Sequence, residues 1–246
     1  MQILPQELAD RIIDELAHPK CHQAIAQYSL ISRAWVTRAQ RHHFEQIDFE
    51  GMEELERWGR NIEPDPAGVS RHVRVLAFDG ITSLEGFEAH MRAFTHIEDL
   101  RICSCSFMLS PPATEFFALM CSSLVELSIS ELETTSGAIT SLLAALPQLK
   151  TFRAEMIKVM DDTDGADLTV RVPFFEGSNS ALFYSHWDQQ DPPGPPDWIP
   201  PSARFSDLKI DITYLLHKAG LVNQWLSNSS TNLTSLSIYG DPVGKL

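Results

Sequence analysis

Two short phrases near the start of the chain, Leu4-Pro5-Gln6-Glu7-Leu8 and Ser29-Leu30-Ile31-Ser32-Arg33-Ala34-Trp35, define the first part of the fold. On a helix of about 100° per residue, Leu8, Ile12 and Ile13 fall on one side and the charged residues on the other. Pro5 suits the first turn, and His18-Pro19 ends the helix because the residue before a proline avoids helical geometry. The pattern predicts an amphipathic helix from about Pro5 to Ala17, which is too short to be stable unless its apolar side is covered.

The second phrase predicts another helix, which could supply that cover. Basic residues become frequent toward its C-terminal end, where cations interact favourably with the helix dipole; they are Arg33, Arg38 and Arg41. The apolar residues of the phrase form one helical face leading to Phe44: Leu30, Ile31, Ala34 and Trp35.

The two phrases at this spacing resemble the LP-x-E-L and L-V-S-R-x-W phrases of the F-box, a small three-helix module, with Ile31 where valine is usual. The resemblance implies binding to the Skp adaptor of Skp–cullin–F-box ubiquitin ligases and, through it, to a cullin. The rest of the chain would then select an unknown protein substrate. The residues expected to contact the adaptor are Leu4, Pro5, Leu8, Ile12, Leu16, Leu30, Ile31 and Trp35.

Composition narrows the choice of partners and compartment. The chain has 246 residues, 43% of them hydrophobic and 21% charged, which suffices for a packed core. Its net charge of −14 repels phosphate backbones and anionic lipids, so we expect neither nucleic acid nor membrane as a partner. The start lacks the basic and apolar regions of a secretory signal. We therefore expect an intracellular protein, cytoplasmic and/or nuclear.

Four cysteines in a chain of this length do not indicate a disulfide framework. Cys103 and Cys105 stand two apart, but no two further ligands follow at a spacing typical of zinc. The sequence therefore predicts no metal site and no cofactor.

Beyond residue 70, one pattern recurs: an apolar residue followed at +3 and +5 by two more. The phrases start 24, 27, 25, 56 and 28 residues apart, so the one long step is twice 28, as if one unit were interrupted. Helical patterns lie between them over Leu84–Phe94, Thr114–Met120, Ile139–Leu146 and Tyr214–Leu226. The six phrases are Val73/Leu76/Phe78, Ile97/Leu100/Ile102, Leu124/Leu127/Ile129, Leu149/Phe152/Ala154, Phe205/Leu208/Ile210 and Leu233/Leu236/Ile238. Units of this kind must stack to bury their apolar faces.

These units resemble leucine-rich repeats, whose strand phrase is L-x-x-L-x-L. That family's Asn or Cys at +8 is met only by Cys105, and the other five positions hold Ile81, Leu132, Ile157, Thr213 and Asp241. We therefore expect a short, irregular solenoid. The predicted fold is α/β, with an F-box-like helical module over 1–50, a linker over 51–70 and a leucine-rich-repeat-like domain over 71–246. A proline-rich loop near 188–204 and a strand through Leu168, Val170 and Val172 fill the gap in the repeat.

The outward side of the predicted strands is the candidate surface for a target. If the residues at +3 and +5 point inward, those at +2, +4 and +6 point the other way, which sets a basic column beside an acidic one. The expected target-binding residues are Asp99, Arg101, Glu126, Arg153, Lys209 and Tyr239. The alternative is a solvated face whose weak ion pairs serve no partner.

No motif in the chain indicates catalysis. The acidic turn that starts at Asp161 lacks the carboxylates of a calcium loop, and Gly240–Lys245 is too short for a phosphate loop. We therefore expect that the protein is not an enzyme. Two hypotheses remain: a substrate receptor of a Skp–cullin–F-box ligase, or a non-catalytic scaffold whose N-terminal helices only cap the solenoid.

Overall fold

A computed structural model describes residues 5–16, 27, 33–105, 123–160, 179–184, 202–211 and 219–239. Within these residues helices and parallel strands follow one another, so the fold is α/β, as predicted. The described helices are α1 (Gln6–Leu16), α2 (Arg33–His43), α3 (Met52–Asn61), α4 (Glu88–Ala93), α5 (Ser136–Ala144) and α6 (Ala219–Ser229).

The helix α1 matches the predicted first helix to within one residue at each end. It begins where the Pro5 carbonyl accepts hydrogen bonds from the N–H groups of Leu8 and Ala9, each at 3.1 Å. Three later helices overlap predicted helical patterns, namely α4, α5 and α6. The pattern over Thr114–Met120 and the proline-rich stretch through residue 201 lie outside the described residues, as do Leu168, Val170 and Val172.

Eight parallel strands form the main sheet of the described chain, and each pairs with the next main-sheet strand in chain order. They are β1 (Gln46–Glu50), β2 (Val75–Asp79), β3 (Asp99–Cys103), β4 (Glu126–Ser130), β6 (Thr151–Glu155), β8 (Asn179–Tyr184), β9 (Phe205–Asp211) and β10 (Ser235–Tyr239). A separate pair, β5 (Glu133–Thr135) and β7 (Lys158–Met160), is also parallel. The crossover from each main strand to the next leaves room for a helix on one side of the sheet.

All six predicted strand phrases are confirmed as strands, and their equivalent residues stand in register. Leu76 pairs with Leu100, and Leu100 pairs with Leu127, so each residue at +3 faces its counterpart in the neighbouring strand. The residues at +3 and +5 of β2, β3, β4 and β6 are buried in one continuous core. The predicted inward and outward alternation is therefore correct for these strands.

The interrupted unit of the repeat is β8. Ala181 pairs with Phe152 on one side and with Leu208 on the other, which divides the long step into 181 − 152 = 29 and 208 − 181 = 27 residues. Ala181 is buried at the +3 position. A register shift between Asn179 and Ser180 marks the irregularity of this unit.

Every described turn after β1, β2, β3, β4 and β6 places one residue in the left-handed backbone region at +7. These residues have φ angles of 94°, 64°, 50°, 51° and 51°, and they are Gly51, Gly80, Ser104, Glu131 and Met156. Each of the first four donates its N–H to the strand-end carbonyl of the next unit at 2.8 to 3.1 Å. The chain therefore leaves these five strands through a residue of positive φ, although Gly51, with ψ of 169°, is more extended than an αL residue.

As the sequence predicts, a side-chain ladder at +8 is mostly missing, and apolar packing takes its place. Ile81 and Leu132 are buried there, and Ile157 packs against the core. Cys105 is also buried, and its thiol lies 3.2 Å from the Cys103 carbonyl oxygen and 3.6 Å from that of Phe78. Thr213 and Asp241 lie outside the described residues.

The predicted boundary at residue 50 divides a single structural unit. The strand β1 belongs to the main sheet, where Phe49 pairs with Phe78 and their rings stack at 5.7 Å. The helix α3, placed by the sequence in a linker, contacts β1, and Trp58 on α3 packs edge-on against Phe49 at 5.9 Å. Buried aromatic contacts of this kind stabilise a fold by about 0.5–1.5 kcal/mol each beyond their area. Residues 46–61 therefore form the first strand–helix unit of the sheet.

Candidate protein-binding surfaces

The helix α1 has two apolar sides that differ in exposure. Ala9 and Ile13 are 2% and 0% exposed, whereas Leu8 and Ile12 are 49% and 40% exposed. Leu8 and Ile12 stand one helical turn apart and Pro5 precedes Leu8 by three residues, so the three follow one line along the helix. We call Pro5, Leu8 and Ile12 the α1 strip. It is an apolar surface that the described chain leaves open.

Asp14 on α1 is hydrogen-bonded to Arg38 and His42 on α2, which holds the two helices together; we call these three residues the clamp. Asp14 accepts two hydrogen bonds from the Arg38 guanidinium, at 2.7 and 2.5 Å, and lies 2.7 Å from His42. The hydrogen bond from Arg38 lowers the pKa of Asp14 to about 2. On a helical wheel Asp14 lies about 160° from Ile12. The clamp therefore holds one side of α1 to α2 and leaves the α1 strip on the far side.

The structure describes some of the other expected adaptor residues. Trp35 lies in the first turn of α2 and is half-buried. Leu16 is the last residue of α1. Leu4, Leu30 and Ile31 lie outside the described residues. Of the predicted set, Pro5, Leu8 and Ile12 are exposed along one line of α1.

The second surface is the side of the main sheet opposite the core, formed by the residues at +2, +4 and +6; we call it the outer sheet face. All six expected target-binding residues belong to strands of this sheet at these positions. Arg101 donates to Asp99 at 3.0 and 2.6 Å within strand β3. This hydrogen bond is the main cause of a raised pKa of Arg101, and the nearby carboxylates of Asp48 and Glu126 add to it. Asp99 and Arg101 are therefore bound to each other.

The remaining basic residues of this face are available to a partner. Arg153 and Lys209 are exposed, and neither forms an ion pair with any residue that the structure describes. Arg153 lies two strands from Arg101, which is about 10 Å at the usual strand spacing. Tyr239 is 45% exposed on the edge strand β10. These three residues stand on β6, β9 and β10, in the second half of the sheet.

A shallow concavity of about 310 Å³ lies at the N-terminal end of the outer sheet face. Three carboxylates, Asp48, Glu50 and Asp79, and one cation, Arg101, line it. The other outward-facing lining residues have small side chains: Ala77, Cys103, Ser128 and Ser130. The excess of carboxylates attracts positive charge, so the concavity suits a cationic side chain.

Two features of this surface escaped the sequence analysis. Asp48 and Glu50 belong to it because β1 is a strand of the main sheet. The signal was present: Phe44, Ile47 and Phe49 have the same +3 and +5 spacing as the six recognised phrases.

The two neighbouring cysteines have different environments. Cys103 ends strand β3 and is half-exposed, while Cys105 is buried, and burial raises the pKa of its thiol to about 11. Among the described residues, no group of three His, Cys, Asp or Glu side chains could hold a metal ion. None of the described helices is both long and apolar enough to cross a bilayer.

In comparisons with known proteins, no protein-family model matches the chain, and no curated protein is significantly similar to it.

Proposed function

We propose that the chain is a non-catalytic substrate receptor of a Skp–cullin–F-box ubiquitin ligase. In this proposal α1 and α2 form part of an F-box that binds a Skp-type adaptor, and through it a cullin. The main sheet is a leucine-rich-repeat-like solenoid that binds the target. The receptor acts by holding its target at high effective concentration near the ligase.

One observation carries the proposal: α1 is held from one side by α2, yet it exposes Leu8 and Ile12 on the other. Short helices of a soluble protein are expected to bury their apolar stripe. Two large aliphatic side chains one turn apart and half-exposed therefore suit a helix that meets a second protein. Pro5 and Leu8 are also the residues of the LP-x-E-L phrase that carries the F-box resemblance.

The outer sheet face suggests the chemistry of the target. Over β1 to β4 it carries five carboxylates against one guanidinium, and that guanidinium is paired with Asp99. The carboxylates are Asp48, Glu50, Asp79, Asp99 and Glu126. We propose a target segment rich in Lys or Arg for this part of the face, because complementary charge speeds encounter and rejects acidic competitors.

The alternative function is a scaffold in which the N-terminal helices only cap the sheet. The contact between α2 and the 3₁₀ turn Val69–His72, just before β2, favours it. A cap, however, needs no exposed apolar strip on its outer side.

Co-purification with a Skp-type adaptor tests the proposal. The variant Leu8→Glu/Ile12→Glu adds two charges to the α1 strip. Its matched control is Leu236→Glu/Ile238→Glu, which changes a Leu and an Ile of similar exposure, 42% and 49%, on β10. We expect the parent chain and the control to retain the adaptor and the strip variant to lose it. Absence of the adaptor from the parent preparation would favour the scaffold, and retention by the strip variant would refute binding through α1.

A further inference from the structure

The core of the main sheet is open at its last strand. Leu236 and Ile238 occupy the +3 and +5 positions of β10 and are 42% and 49% exposed. The equivalent residues of the preceding strand, Leu208 and Ile210, are both 0% exposed. Side chains equivalent to those that β9 buries therefore meet solvent at β10.

Within the part of the chain that the structure describes, the edge formed by β10 lacks the features that normally prevent strands from pairing. Natural edge strands are protected by charges, prolines, bulges or a covering element. The strand β10 reads Ser235-Leu236-Ser237-Ile238-Tyr239, with no charge and no proline. The opposite edge strand, β1, carries Asp48 and Glu50 and is contacted by α3. Only one of the two edges is therefore free of charged residues.

The charge distribution indicates what covers this edge. Residues 219–240 form the longest run without Asp, Glu, Lys or Arg, 22 residues in a chain of which 21% is charged. This run contains α6 and β10, the whole final helix–strand pair of the described chain. Two copies of a protein with a net charge of −14 repel each other over most of their surface. The uncharged end is where they can meet without that repulsion, whereas a partner selected by charge finds no group there to bind.

We infer that β10 is a homodimer interface at which it pairs antiparallel with β10 of a second copy. A two-fold axis near Ser237 places Leu236 opposite Ile238 of the second copy, with both side chains on the core face of the sheet. The free N–H and C=O groups of the two edges satisfy each other. The pairing joins the two sheets and closes both cores, and it lies at the opposite edge of the sheet from β1.

The molar mass of the full chain, measured by light scattering over a wide range of protein concentrations, tests the inference. We expect the mass to rise from 27.6 kDa toward twice that value as concentration increases. Leu236→Glu/Ile238→Glu should raise the dimer dissociation constant at least about a hundredfold, because each substitution enters a two-fold interface twice. Leu8→Glu/Ile12→Glu adds the same charge elsewhere and should leave the dissociation constant unchanged.

A second measurement does not depend on any variant. Hydrogen exchange of the β10 amides in the parent chain should slow as concentration crosses the dimer transition, while the amides of α1 should not change. A monomer at every concentration would overturn the inference. So would a dimer that survives in the β10 variant with its affinity intact, or one that both variants weaken equally.

Discussion

A residue of positive φ follows each of the strands β1, β2, β3, β4 and β6, and Gly80→Ala tests this feature most directly. Gly80 has φ of +64°, and a Cβ at this position would meet nothing within 4 Å. The cost is therefore purely that of the backbone conformation, about 1–2 kcal/mol for a residue other than glycine. The lower entropy of the unfolded alanine chain offsets about 0.4–1 kcal/mol of it. We expect a net loss of about 0–1.6 kcal/mol in the free energy of unfolding.

The control for this prediction is Gly220→Ala. Gly220 lies in α6, where a Cβ would also meet nothing within 4 Å and φ is not left-handed. Alanine is the better helix former, so the free energy of unfolding should rise by up to about 1 kcal/mol. Urea unfolding at equilibrium measures both variants. The two substitutions should change stability in opposite directions; stabilisation by Gly80→Ala would refute the left-handed conformation at Gly80.

Three further predictions concern charge, thiol chemistry and packing. The pKa of Asp14 is lowered to about 2 from 3.8, so its bond with Arg38 stabilises the folded state fully above about pH 4 and is lost as the pH falls toward 2. Because Asp14 is partly exposed, the loss of stability should stay below about 1 kcal/mol. Hydrogen exchange in α1 should show this pH dependence in the parent chain and not in Asp14→Asn. Cys105 should resist alkylation at neutral pH until urea unfolds the chain, as peptide mapping of the labelled protein will show, because the buried thiol has a pKa of about 11. Leu208→Ala should lower the free energy of unfolding in urea by about 2–5 kcal/mol, because a following unit encloses Leu208. Leu236→Ala, measured at low protein concentration, should lower it clearly less, because Leu236 is exposed. Equal losses would mean that the β10 end is closed.

Spacing alone predicted most of the sheet, because an inward-facing pair at +3 and +5 is what a buried strand requires. It passed over β8, whose +3 residue is Ala181 and adds little apolar signal. It also left β1 outside the repeat, since the F-box resemblance drew the boundary at residue 50. The aromatic contacts that Phe49 makes with Trp58 and Phe78 place β1 and α3 in the main sheet's core. A periodic pattern in the sequence does not reveal such contacts.

The surfaces were predictable only in part. Helical periodicity placed Leu8, Ile12 and Ile13 on one side of α1, but it cannot tell which of them a neighbouring helix covers. The clamp from Arg38 to Asp14 decides that, and it spans 24 residues of sequence. The left-handed turns were equally invisible, because three of the five residues are Ser104, Glu131 and Met156 and not glycine.

The affinity of the full chain for a Skp-type adaptor, measured by calorimetry for the parent and for Leu8→Glu/Ile12→Glu, tests the central claim most directly. If the adaptor covers the exposed fractions of the two side chains, 49% and 40%, they contribute about 1.3–2.7 kcal/mol at about 1.5–3 kcal/mol per fully buried side chain. The dissociation constant should then rise at least about 10- to 100-fold in this variant, and it should be unchanged in Leu236→Glu/Ile238→Glu. No detectable binding by the parent chain, or equal affinity after the change to Leu8 and Ile12, would contradict the claim that α1 binds the adaptor.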